Sequence, residues 1–148
     1  VPSGATNPNY NITYVNGNLN ITPADLTITT HNISRIYGTA NPAFSISTSG
    51  LVTGDSLNTT GLTFSTTATS NSAVGTYDLI ASGITDPNYN INFVPGSLNI
   101  TPAQLTLSVE SAFRDYGSTN PTFTYTSAGL TAGDAISNII KYFIVFID

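Results

Sequence analysis

The chain contains no cysteine, no methionine and no tryptophan. Without thiols it can form no disulfide, and it offers no thiolate for nucleophilic attack, redox cycling or metal binding. Its stability must come from apolar cores alone. Basic residues are almost as scarce: Arg35, Arg114 and Lys141 stand against eight acidic residues and leave a formal net charge of −5. With no cationic patch to neutralise phosphates, the composition argues against nucleic acid and against an anionic lipid surface as partners. Charged residues make up 7% of the chain and hydrophobic residues 40%, so Ser, Thr and Asn must cover the surface, which is unusual for a cytosolic protein. The most apolar run, 139–147, is interrupted by Lys141 and falls well short of the roughly 20 residues a membrane-spanning helix needs. No membrane segment is expected, and no secretory leader can be read in the sequence. The missing methionine implies that the sequence is processed or is part of something longer.

What the chain has is an internal repeat. The segment Ile21-Thr22-Pro23-Ala24-Asp25-Leu26 returns as Ile100-Thr101-Pro102-Ala103-Gln104-Leu105, an offset of 100 − 21 = 79. The same offset carries Asn7-Pro8-Asn9-Tyr10 onto Asp86-Pro87-Asn88-Tyr89, Tyr37-Gly38 with Asn41-Pro42 onto Tyr116-Gly117 with Asn120-Pro121, and Gly50 to Asp55 onto Gly129 to Asp134. No insertion or deletion intervenes. The expected organisation is the closing strands of one repeat at 1–22, one complete repeat at 23–101, and the opening half of another at 102–148 with a divergent apolar tail after Asn138.

Period-2 alternation bounded by turn residues predicts about six strands per repeat. Leu26, Ile28 and Thr30 alternate with Thr27 and Thr29, Phe44 and Ile46 alternate with Ser45 and Ser47, and similar runs cover 62–66, 76–81, 89–93 and 97–100. Gly38, Asn41-Pro42, Gly50, Gly54-Asp55, Gly61, Asp86-Pro87 and Pro95-Gly96 supply turns. Only Val52 to Asn58 suits a helical turn. The fold class is therefore all-β: tandem small β-sandwich modules, immunoglobulin-like, or β-grasp-like modules, with minimal helix. Pro23 and Pro102 fall between the last strand of one repeat and the first of the next, where a missing donor is tolerated. Joints of two or three residues make a stiff array.

Taken together, the Ile21-Thr22-Pro23-Ala24 opening, Tyr37-Gly38 with Asn41-Pro42-Ala43-Phe44, Gly50 to Asp55, Val74-Gly75-Thr76-Tyr77, and Asn88-Tyr89 leading to Gly96-Ser97-Leu98 resemble the MBG-type repeat in its tyrosine-glycine variety. That resemblance implies an all-β module of very large bacterial adhesin-like exoproteins, extracellular or at the cell surface, acting as spacer or matrix. It brings no catalytic, cofactor-binding or metal-binding residues.

The residues themselves lead the same way. His31 is the one histidine, and Glu110 holds its position at the 79-residue offset, so a solvated strand residue is expected rather than a general base. The carboxylates, among them Asp25, Asp55, Asp78, Asp86, Glu110, Asp115 and Asp134, are scattered singly, unlike the spacing of a calcium loop. Asp55 and Asp134 recur at Gly-Asp turns and suit an Asx-turn or a helix N-cap. Tyr37 with Tyr116, and Tyr10 with Tyr89, are expected to be core or corner residues whose hydroxyls bond backbone, with sugar stacking as the alternative. Segment 23–101 has no lysine, which removes the internal Lys-to-Asn crosslink of many adhesin modules. Five Asn-X-Ser/Thr triplets, such as Asn32-Ile33-Ser34, follow from composition.

The expected function is thus a non-enzymatic structural stalk, spacer or fibre module without cofactor or metal. Its expected partners are neighbouring repeats of the same protein and, by head-to-tail strand complementation, other copies in a filament. The alternative is an adhesive module binding glycan or a host surface.

Overall fold

The computed structural model describes residues 2–131 and 133–139. Strands β1 (Ala24–Thr30), β2 (Ile33–Ile36), β3 (Ile46–Ser49), β4 (Thr63–Ser65), β5 (Gly75–Ser82), β6 (Tyr89–Val94) and β7 (Gly96–Thr101) are followed by β8 (Thr106–Val109), β9 (Tyr125–Ala128) and a four-residue helix α1 (Ile136–Ile139). One sheet has the order β3-β1-β6 and a second β2-β7-β5-β4. The chain is all-β in its described residues apart from α1.

Two bent strands organise these sheets. β1 runs parallel to β6, and β2 runs parallel to β7. The chain passes from the first sheet to the second at His31-Asn32 and again at Pro95, so both parallel partners cross together. Pro95 has no N–H to continue a ladder, which suits a break between strands. The corners are bound to each other: Asn32 Oδ1 accepts from the Ser97 N–H at 2.9 Å and from its hydroxyl at 3.1 Å. Gly96 sits so close that a Cβ there would lie 2.5 Å from the Thr30 carbonyl oxygen and 2.9 Å from that of His31.

Alternation then places the core. Leu26, Ile28 and Thr30 of β1 are buried, as are Leu79 and Ala81 of β5 and Leu98 and Ile100 of β7. β1 and β6 both lie against β5, bringing the two sheets together. Leu26 and Ile28 cluster with Ile84 and Tyr89, flanked by Ile46, Leu51 and Phe93. Leu98 and Ile100 cluster with Ala68, flanked by Ile33, Tyr37 and Tyr77. Full burial of a Leu or Ile contributes about 1.5–3 kcal/mol, so these side chains dominate the module's stability. Phe44 and Phe64 add a tilted pair with ring centroids 5.7 Å apart.

The expected strands at 26–30, 62–66, 76–81, 89–93 and 97–100 all appear, and the run at Phe44 begins its ladder at Ile46. β2 is an additional strand. Val52 to Asn58 forms a turn rather than a helix, closed by the Asp55 N–H on the Val52 carbonyl at 3.0 Å. The pairing of β8 with β9, Thr106↔Ala128 through Val109↔Tyr125, matches that of β1 with β3, Thr27↔Ser49 through Thr30↔Ile46, at the 79-residue offset.

Residues 2–22, expected to form strands, contain none, although their counterparts at +79 include β6 and β7. The physical reason is that β6 and β7 are held by β1, β2 and β5, and 2–22 have no copy of those strands beside them. Local geometry survives nonetheless. The Tyr10 N–H bonds the Asn7 carbonyl and the Asn9 N–H bonds Asn7 Oδ1, as Tyr89 and Asn88 do with Asp86. The divergent tail from residue 140 onward lies outside the described residues.

Candidate functional site

The polar side chains that converge do so at two tyrosine–aspartate contacts and one buried arginine. Tyr89, on β6, is buried, and the turn at 52–55 brings two groups to its hydroxyl. It accepts from the Val52 N–H at 3.1 Å and donates to Asp55 Oδ2 at 2.6 Å. The neighbouring carboxylate raises the Tyr89 pKa, because ionising the phenol would remove the donated bond and set two negative charges side by side; the Val52 N–H opposes this. Tyr37, at the end of β2, donates to Asp134 Oδ1 at 3.0 Å across 97 residues of sequence, and its pKa is raised for the same leading reason.

Asp55 and Asp134 therefore accept tyrosine hydroxyls, and among the described residues neither carboxylate makes the expected Asx-turn or helix-cap bond, although a backbone turn closes at each. For Tyr89 the expected backbone bond is present, and the carboxylate is an addition. Tyr10 and Tyr116, their repeat counterparts, are exposed. These contacts were missed in the sequence because nothing in the spacing says which tyrosine meets which aspartate. The recurrence of both residue types at 79 was the signal available.

Arg35 was missed as well. Only 7% of it is exposed, and among the described residues no carboxylate meets it. Its guanidinium donates to Asn41 Oδ1 at 2.8 Å, to the Thr69 carbonyl and to the Ile36 carbonyl at 3.3 Å, while Asn41 donates to the Ala68 carbonyl at 2.8 Å. This fork fastens the Tyr-Gly turn to the loop at 66–72. Arg114 and Asn120, at the same offset, were the visible clue.

His31 lies in the corner between β1 and β2, exposed, with Nδ1 3.0 Å from Ser45 Oγ. Glu110 meets the equivalent partner, accepting from the Thr124 hydroxyl, and both positions also donate a backbone N–H to that partner's carbonyl at 3.0 Å. A position that holds either His or Glu against a hydroxyl serves the corner. Among the described residues no group of three or more His, Cys, Asp or Glu could hold a metal ion, and no helix is long and apolar enough to cross a membrane.

These features define a class: an all-β module whose ordered polar contacts bind its own turns and the segment that follows it. The chain belongs to the MBG domain family of the YGX type, whose family model matches residues 26–99, from within β1 to within β7. Tyr37-Gly38-Thr39 stands within that span. No curated protein and no solved structure matches the chain.

Proposed function

We propose that the chain is a stretch of spacer from a bacterial adhesin-like exoprotein, secreted or held at the cell surface. Small β-sandwich modules of 79 residues follow one another and extend the parent protein as a stalk or fibre, without catalysis or cofactor. The observation that carries this reading is the joint. β7 ends at Thr101, Pro102 follows at once and β8 begins at Thr106, while Tyr37 reaches across to Asp134. The connection, 102–105, is longer than the expected two or three residues, but with a side-chain contact spanning it, it still transmits orientation from one module to the next. The absence of a helix at 52–58 favours the sandwich over the β-grasp alternative.

Electron microscopy of arrays built with increasing numbers of repeats tests it. Rods that lengthen by a constant increment per repeat are expected; particles whose length does not grow with repeat number would overturn it.

A specific observation also favours head-to-tail assembly. Tyr10, Leu19 and Ile21 are 74%, 89% and 85% exposed, whereas their counterparts Tyr89, Leu98 and Ile100 are 9%, 0% and 1% exposed. Another copy's 102–138 segment offers the matching β8 and β9. Sedimentation across a wide concentration range is expected to show association, and monomer throughout would exclude it. Glycan binding has less support, since Tyr37 already has its hydroxyl on Asp134.

A further inference from the structure

The contact between Tyr37 and Asp134 is more than a local hydrogen bond once the offset is applied to it. Asp134 is Asp55 plus 79, yet each meets a different tyrosine: Asp55 takes Tyr89 of its own segment through Oδ2, and Asp134 takes Tyr37 of the preceding segment through Oδ1. Tyr89 takes one oxygen of Asp55 and leaves the other without a hydrogen bond among the described residues, so one carboxylate can accept both contacts at once, an ionised Asp having room for about four donors. We infer that the Gly-Asp carboxylate is a two-sided latch. One oxygen fastens the closing strands of its own repeat, and the other receives the Tyr-Gly turn of the repeat before it. Asp55 Oδ1, with Leu51 and Val52, is accordingly the receiving face for an upstream repeat of this same kind.

The surroundings of the two aspartates agree with this occupant. Gly38 approaches Thr131 so closely that a Cβ would fall 2.2 Å from its methyl carbon, and Tyr37 and Val74 line a cleft with Pro102, Leu105, Leu130 and Thr131. Gly38 also has φ +82°, which disfavours any other residue there. Subtracting 79 from Thr131 gives Val52, which is 51% exposed. It occupies the place where the glycine of an upstream Tyr-Gly turn would rest. Asp55 Oδ1 makes no hydrogen bond among the described residues.

The inference deepens the spacer reading and rests on it for its biological use, but the joint can be tested separately. The absence of native cysteine permits clean labelling. Ser47→Cys and Thr126→Cys place spin labels at exposed sites 79 residues apart on β3 and β9, and electron–electron double resonance on the full chain reads the distance between them. A single narrow distance is expected, lost to a broad spread in Tyr37→Phe and in Asp134→Ala. Asp55→Ala should keep the narrow distance while loosening Tyr89, seen in its ring NMR signals. A distance equally narrow in Tyr37→Phe and Asp134→Ala would overturn the latch while leaving rods in the microscope untouched.

For the receiving face, segment 23–101 is duplicated in frame ahead of residue 23, and labels span the new joint. There Asp55→Ala in the downstream copy is expected to broaden the distance as Asp134→Ala does in the native chain. An unchanged distance would overturn the assignment of Asp55.

Discussion

Thr30 is buried at the end of β1, and its hydroxyl has no hydrogen-bond partner among the described residues. An unpartnered buried hydroxyl costs about 1–3 kcal/mol. The repeat offers the alternative itself, since position 109 at the 79-residue offset is Val. Thr30→Val keeps the branched shape and removes the unmet group, so chemical denaturation should show a gain of about 1 kcal/mol. Arg35 is the opposite case, because its buried fork has only neutral acceptors among the described residues. Arg35→Ala leaves the Thr69 carbonyl and Asn41 without their donor and should cost about 2–4 kcal/mol, measured the same way. Tyr89, like Tyr37, adds to the loss of stability at alkaline pH. Its folded pKa is raised above the ordinary 10.0 by Asp55, so the folded state holds the phenolic proton more tightly than the unfolded chain does. The contribution is fully present below pH 10 and is lost as pH rises through the higher folded value. Stability measured against pH should stay level up to that point and then fall, and the fall should be shallower in Tyr89→Phe.

At the scale of elements, what could be read from the sequence was what short-range physics decides. Strands β1, β5, β6 and β7 announce themselves by alternation, and the Asn7 and Asp86 turns form the same Asx geometry with and without strands around them. β2 escaped because Ile33-Ser34-Arg35-Ile36 buries an arginine in the inward phase, where an apolar residue would have marked the strand. The partners of Asp55 and Asp134 escaped because they depend on which turn is brought to which strand end, a long-range matter. The paired corners are another long-range product. Gly96 and Gly17 occupy the same position of the repeat, yet a Cβ on Gly17 meets nothing within 4 Å while one on Gly96 meets two backbone carbonyls. Backbone cannot yield as a flexible side chain can. Gly96→Ala should therefore destabilise by about 2 kcal/mol or more, while Gly17→Ala should leave the melting curve unchanged.

For the whole molecule, the stretch 2–22 and segment 23–101 differ in what holds them. The shorter stretch exposes Tyr10, Val15, Leu19 and Ile21, and its side-chain hydrogen bonds stay within itself, as between Tyr14 and Ala5. Segment 23–101 holds both buried clusters. The urea dependence of unfolding scales with the surface newly exposed, so a stretch that buries little in the folded state adds little to that slope. Removing residues 1–22 should leave both the urea midpoint and the slope of the transition at their full-chain values at low protein concentration. Head-to-tail association adds one refinement. If another copy takes up the stretch, the full chain's midpoint should climb with protein concentration, because a partner that binds only the folded state stabilises by mass action. The shortened chain should show no such climb. Equal midpoints for both chains at every concentration would remove strand complementation from the proposal and leave it resting on the short Pro102 joint with its tyrosine–aspartate contact.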